Sequence, residues 1–212
     1  MSTIPSGPLA SHAPPPAVWF DPHAEFRQLR HHTKNVLAAI MAQLTAHLAA
    51  SGCPDLAADV ERRIMLTTKV SDALFGVTQA PAPFAKRLQS LCDGLVGMLG
   101  DPVQHLTVEV DAGSGTPSSL EALILRAVHE LVSNAVKHGM HMRLIGRIRV
   151  SLASDADGTV LVVADDGWGC DRSLQHGEGL QLVSLLAKPF AGQVSLQRQG
   201  NVTVATLRVP EQ

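Results

Sequence analysis

Between residues 21 and 79 apolar side chains, with a threonine in each set, recur every three or four positions. Phe26, Leu29, Thr33, Val36, Ile40, Leu44 and Leu48 make one stripe; Leu56, Val60, Ile64, Thr67, Val70, Leu74 and Val77 make a second. That period is the one an α-helix imposes on a face turned toward a core. Asp21-Pro22 supplies a cap and a first-turn proline, and Ser51-Gly52-Cys53-Pro54 is a short breaker between the two stripes. Two long helices joined so tightly predict an antiparallel hairpin over 21–79. One hairpin cannot cover both stripes, so the expected solution is a four-helix bundle built by two chains; a hairpin packed on its own C-terminal half is the alternative.

Ala80-Pro81-Ala82-Pro83 reads as a linker, and a second unit is expected over 84–212. Phe84 to Leu99 has helical spacing and stops at Gly100-Asp101-Pro102. The period then changes to two. Leu106, Val108 and Val110 alternate with polar residues, as do Ile148, Val150 and Leu152, which predicts half-buried strands. Ser118-Ser119-Leu120-Glu121 has the form of a capping box and opens a helix expected to reach about Lys137. Asp157-Gly158 signals a hairpin into Val160 to Ala164. Leu180 to Lys188 reads as a helix ending at Pro189, and Val194 to Leu196 pairs with Val202 to Val209 around Gly200-Asn201. The fold class is therefore α+β: an N-terminal antiparallel helical hairpin followed by a sandwich of helices on a mainly antiparallel sheet.

Composition narrows the chemistry. Of 212 residues 45% are apolar and 3% aromatic, with no tyrosine, so the core must be aliphatic and stacking platforms for nucleic-acid bases are scarce. A net charge of −2 attracts neither nucleic acid nor anionic lipid, and no apolar run nears the roughly 18 residues of a membrane span. Pro5, Pro8, Pro14, Pro15 and Pro16 break up residues 1–20, which read as a disordered leader and not as a signal peptide. Cys53, Cys92 and Cys170 are odd in number and scattered, which fits a reducing cytoplasm.

Three segments carry candidate chemistry. In Glu130-Leu131-Val132-Ser133-Asn134-Ala135-Val136-Lys137-His138-Gly139, helical spacing puts Glu130, Asn134 and His138 on one face. Glu130 and Asn134 offer hard oxygens suited to Mg²⁺, and Lys137 a partner for phosphate; an amphipathic helix with a polar outer face is the plainer reading. Asp165-Asp166-Gly167-Trp168-Gly169 follows an apolar strand, so a carboxylate at the strand end can meet a base where glycine lets backbone come close. An ordinary turn would also explain it. Gly177-Glu178-Gly179 opens a helix whose N-terminal amides can seat phosphate, although the Gly-Lys-Ser/Thr ending of a P-loop is missing. His138 and His141 lack a third ligand for zinc.

In this order the three segments resemble the N-box and two glycine boxes of the Bergerat (GHKL) nucleotide-binding fold, over about residues 101 to 209. The resemblance implies ATP and Mg²⁺ as cofactors. By it Asn134 ligates Mg²⁺, Glu130 organises water at the metal, Lys137 touches phosphate and His138 lines the adenine pocket. Asp165 accepts from the adenine amino group, while Gly167, Gly169, Gly177 and Gly179 shape the pocket and its lid. Upstream, Arg30-His31-His32-Thr33-Lys34-Asn35 resembles the H-box of the HisKA_2/HWE histidine kinases. That register implies His31 as phospho-acceptor, with Asn35 one turn later to orient the imidazole or the incoming phosphate. His129-Glu130 is similar to the histidine-headed N-box of the same group, whose WxE signature is absent.

The implied protein is a cytoplasmic two-component histidine kinase. It autophosphorylates His31 from Mg·ATP, dimerises through the hairpin and passes phosphate to a response-regulator aspartate, with a separate sensor protein as a source of input. Gly169 and Gly177 stand only eight positions apart, shorter than the usual lid, and no phenylalanine box lies between them. Gln181 replaces a glycine common in the second glycine box. These departures carry the alternative, a histidine phosphotransferase without ATPase activity that relays phosphate between receiver domains. A serine kinase of the anti-sigma-factor type ranks lower, since it has no use for a hairpin bearing His31.

Overall fold

The computed structural model describes residues 35, 42–48, 50, 52, 54–75, 82–113, 115–168 and 178–211. Residues 35, 42–48 and 50 are helical, and the rest of the first predicted helix, with the leader, lies outside the described residues. Helix α1 (Pro54–Phe75) is the second arm of the predicted hairpin. Helix α2 (Phe84–Leu99) follows Pro83, whose carbonyl accepts from Lys86 and Arg87, and it ends where the Gly100 amide closes on the Val96 carbonyl at 2.9 Å. Its stripe Leu88, Leu91, Cys92 and Leu95 is fully buried. Burial pushes the Cys92 thiol up to about 12, so it is an inert core residue. α1 packs closely on α2: a Cβ added at Gly94 would come 2.8 Å from Val70 Cγ2. Val70 and Ala73 of α1 join the same core as α2.

Strand β1 (His105–Asp111) leads into helix α3 (Ser118–Asn134), which returns the chain so that β2 (Ile145–Asp155) pairs parallel to β1. β3 (Gly158–Asp165) pairs antiparallel with β2 through a two-residue turn, and Gly158 takes φ +124, a conformation side chains rarely adopt. Helix α4 (Glu178–Ala187), a 3₁₀ turn (Lys188–Phe190), β4 (Gln193–Gln199) and β5 (Val202–Pro210) complete the unit. The sheet order is β1-β2-β3-β5-β4, with only the first pair parallel. The fold is α+β, and β1 to β5 lie where the alternation puts them.

Inward residues Ile148, Val150, Leu152, Leu161, Val163, Leu207 and Val209 meet Ile124, Leu125, Val128 and Val132 of α3 in one aliphatic core. Each such side chain contributes roughly 1.5–3 kcal/mol on burial. No helix among the described residues is long and apolar enough to cross a membrane.

Three local expectations are corrected. The capping box does not form: α3 starts at Ser118 with Pro117 at the cap position and no side-chain cap bond, because the Leu120 amide already closes on the Pro117 carbonyl at 2.9 Å. The helix expected to run to Lys137 ends at Asn134 and widens into a π-helical turn, Ala135–Gly139, closed by the Met140 amide on the Ala135 carbonyl at 2.9 Å. α4 starts at Glu178, two residues earlier than predicted, and Pro189 sits inside the 3₁₀ turn instead of stopping the chain.

Candidate functional site

Asp165 is the last residue of β3, and the alternation that buries Leu161 and Val163 turns its carboxyl inward as well. Burial is the main reason its pKa is pushed up, to about 6. The Gly167 amide, donating to Oδ1 at 3.0 Å, works against that rise; Asp166 adds to it, and Arg198 and Arg143 oppose it. Across the ladder Asp165 pairs with Thr203 of β5. Thr203 Oγ1 is buried without a hydrogen-bond partner among the described residues. A buried carboxylate beside an unpartnered hydroxyl leaves hydrogen-bonding capacity that a ligand can satisfy.

Glycine lets three segments close around this point. The π-helical turn brings Gly139 against Asp165, where a Cβ would lie 2.5 Å from Oδ1. Gly167 packs on the backbone of Gly139, so a Cβ there would collide with main chain, and the next amide, Trp168 N, donates to the Gly139 carbonyl at 3.0 Å. Gly179, in the first turn of α4, lies against the other cluster: a Cβ there would come 2.9 Å from Asn134 Nδ2 and 3.2 Å from Glu130 Oε2.

Between these groups is a cavity of about 450 Å³. Leu131, Val163, Leu182, Leu196 and Ala205 provide apolar lining; Glu130, Asn134, Lys137, His138, Asp165, Glu178, Gly179 and Thr203 provide the polar groups. The volume and the mix of a few polar groups on apolar walls suit a small-molecule ligand. Glu130 Oε1 is bonded to His129 Nδ1 at 3.0 Å, and its other oxygen faces Gly179. Two oxygen-bearing side chains one helical turn apart can hold a hard cation with water, and Lys137 adds positive charge on the same wall. The donor set therefore fits a nucleotide with Mg²⁺: amide and carboxylate for the metal, lysine for phosphate, carboxylate and hydroxyl for a base edge.

Of the residues singled out in the sequence, Glu130, Asn134, Lys137, His138, Asp165 and Gly179 line this one cavity, and Gly167 supports the turn beside it. Lys137 and His138 stand on the π-helical turn, so His138 is not the plain α-helical continuation of the Glu130–Asn134 face. His31, Gly169 and Gly177 lie outside the described residues. Asn35 is helical and exposed and does not line the cavity. Thr203 escapes sequence reasoning, although a polar residue at an inward position of β5 is a usable signal. Glu178 lies inside the Gly177–Gly179 motif but receives no role from it, and Leu182 and Leu196 read only as apolar positions of their helix and strand.

The two glycine contacts differ in kind, since Gly179 faces side chains and Gly167 faces backbone. Gly179→Ala is expected to fold normally, within about 1 kcal/mol of the parent, because the Asn134 amide can swing aside. It should weaken divalent-cation-dependent nucleotide binding about tenfold by displacing that amide. Titration with and without Mg²⁺ checks this; equal losses in both conditions would refute it.

Residues 101–205 match the family model of the histidine kinase-like ATPase domain. Among solved structures, the histidine kinase domain from Erythrobacter litoralis EL346 blue-light activated histidine kinase superposes with a TM-score of 0.55 at 19% identity, covering 88% of this chain and 93% of that one. A longer chain of the same Erythrobacter protein gives a TM-score of 0.55 at 19% identity; 83% of this chain and 59% of that one are covered, so this chain spans less than two thirds of it. At that identity the likeness is one of fold. No curated protein matches the sequence. The parallel-then-antiparallel sheet, the helix that crosses it and the cavity between them thus have the sequence and fold of a histidine kinase-like ATPase domain over residues 101–205.

Proposed function

We propose that the chain is a protein-histidine kinase of the HisKA_2/HWE type, which binds ATP in this cavity and phosphorylates its own His31. The observation that carries the reading is convergence: the base-facing pair Asp165 and Thr203 and the metal-facing pair Glu130 and Asn134 share one cavity of nucleotide size.

Asp165 accepts from the exocyclic amino group of adenine, with Thr203 beside it for the remaining edge. Leu131, Val163, Leu196 and Ala205 cover the ring faces without aromatic stacking. Asn134, and Glu130 through water, would hold Mg²⁺, which would supply positive charge against the phosphates. Lys137 binds the phosphates directly. The His31 imidazole, through an unprotonated ring nitrogen, forms the P–N bond as the bond from the γ-phosphorus to its bridging oxygen breaks and ADP leaves. Asn35 orients that imidazole. The phosphoryl group then passes to an aspartate of a response-regulator receiver domain, with two chains paired through the N-terminal hairpin.

Incubation with γ-labelled ATP and Mg²⁺ should give acid-labile, alkali-stable label on the chain, absent from His31→Ala and from chelated samples. Label that survives His31→Ala would overturn the choice of acceptor. One observation favours a second reading: the eight-position step from Gly169 to Gly177 leaves little chain to cover a triphosphate. A histidine phosphotransferase without ATPase activity would show no label from ATP and would take label from a phosphorylated receiver domain.

A further inference from the structure

The Asp165–Trp168 turn is gripped from two sides by arginines that do not line the cavity. Arg143, in the loop before β2, donates through Nη1 to the Asp166 carbonyl at 2.5 Å and lays its guanidinium over the Trp168 ring, 5.6 Å from the centroid. The same side chain donates through Nε to the Ile145 carbonyl at 3.2 Å, which ties it to its own loop. Arg198, at the end of β4, donates through Nη1 to the Trp168 carbonyl at 2.6 Å and through Nε to the Gly200 carbonyl at 3.0 Å. Backbone bonds complete the grip: the Arg147 amide donates to Asp166 Oδ1 at 2.8 Å and the Trp168 amide to the Gly139 carbonyl at 3.0 Å.

Trp168 is 69% exposed in a chain with only two tryptophans. Its indole covers no core, and the described contact that uses the ring is the one with Arg143. Such a stack holds a guanidinium at a fixed distance and angle. The turn held in this way carries the Gly167 amide, and that amide sets the Asp165 carboxyl through the bond to Oδ1 at 3.0 Å. The charge-assisted bond to the Asp166 carbonyl holds the peptide plane that carries the Gly167 N–H, and the one to the Trp168 carbonyl holds the far end of the same turn.

We propose that Arg143 and Arg198 are positioning residues for base recognition: clamped on the carbonyls of Asp166 and Trp168, they hold the Gly167 amide, and through it the Asp165 carboxylate, in the orientation that selects an amino-bearing purine. This rests on the nucleotide reading above and adds the source of its base selectivity. A positioning role reaches the base edge and leaves the phosphate end untouched. A loss of general packing would weaken every nucleotide alike.

The test uses the full chain carrying Trp19→Phe, so that Trp168 is the only tryptophan and its fluorescence reports on the turn. ATP is compared with inosine triphosphate, which carries an oxo group where adenine carries the amino group. The parent should prefer ATP. Arg143→Ala and Arg198→Ala should each weaken ATP about tenfold, the scale of one lost charge-assisted bond, while inosine triphosphate changes by less than about twofold. Arg143→Lys, which keeps the charge without the planar fork, should recover part of the preference. In an Asp165→Asn background Arg143→Ala should no longer alter the ratio, because the carboxylate that favours the amino group is gone. Equal weakening of both nucleotides, or a preserved preference in Arg143→Ala, would overturn the clamp and leave the nucleotide reading standing. A parent that binds neither nucleotide overturns the nucleotide reading itself and this role with it.

Discussion

Asp165→Asn should give a chain that is harder to unfold and holds adenine nucleotides far more weakly. The carboxyl titrates near 6 in the folded state against an ordinary 3.8, and burial is the dominant cause. Between those two values the folded chain retains a proton that the unfolded chain has released. Stability therefore falls as pH rises from about 4 to about 6 and stays at the lower level above that. A gap of this size corresponds to roughly 1–3 kcal/mol. Asparagine keeps an oxygen for the Gly167 amide, now at 3.0 Å from Oδ1, and carries no charge to desolvate. Thermal unfolding at pH 7.5 should show the variant melting several degrees above the parent, with the difference closing toward pH 4. The same change sets an amide donor against the amino group of adenine, so affinity should fall about a hundredfold. A variant that melts below the parent at pH 7.5 would mean the carboxylate stabilises the fold. The strain of an ionised, buried carboxylate is then the cost of selecting a base.

The second large effect is expected from Gly167→Ala, one methyl group. That carbon would be driven into the main chain of Gly139, which lies in a helical turn closed by its own hydrogen bond and cannot yield by rotating a side chain. The turn must move away, breaking the Trp168–Gly139 bond and the Gly167–Asp165 bond together, each at 3.0 Å. Overpacking plus two lost bonds predicts about 2–4 kcal/mol of destabilisation, with nucleotide binding lost beyond detection. Urea unfolding and nucleotide titration on the same samples check both parts. Parent-like stability would show that the close approach of Gly139 and Gly167 is not a requirement of the fold.

The strands were readable because β2, β3 and β5 each have one face on the core and one away from it, so alternation from Ile148 to Leu152 or Val202 to Val209 leaves a period of two. α2 was readable to the residue, since Pro83 and Gly100 punctuate it chemically. The capping box misled because Ser118 and Glu121 have the right spacing whether or not Pro117 has taken the cap position; the pattern does not encode the dihedral angles that decide it. The cavity was legible as three short motifs, because glycine and carboxylate are rare enough together to stand out. Thr203 was not, since it matches any strand threonine until the fold sets it opposite Asp165. Nor were Arg143 and Arg198, whose grip on the turn depends on contacts 23 and 30 residues apart.

The π-helical turn imposes a constraint of a different sort, on chain length. Compared with an α-helix, Ala135–Gly139 contains one residue more than the path requires. Met140 beyond it is fully buried, and its carbonyl receives the Gln104 side chain at 2.8 Å, so that end cannot rotate. Deleting one residue between 135 and 139 would let a regular α-helix close on the same path, but it would narrow the turn that carries Lys137 and His138 and draw Gly139 away from Asp165. Among sequences built on this plan, substitutions in the segment should be common and single-residue gaps almost absent.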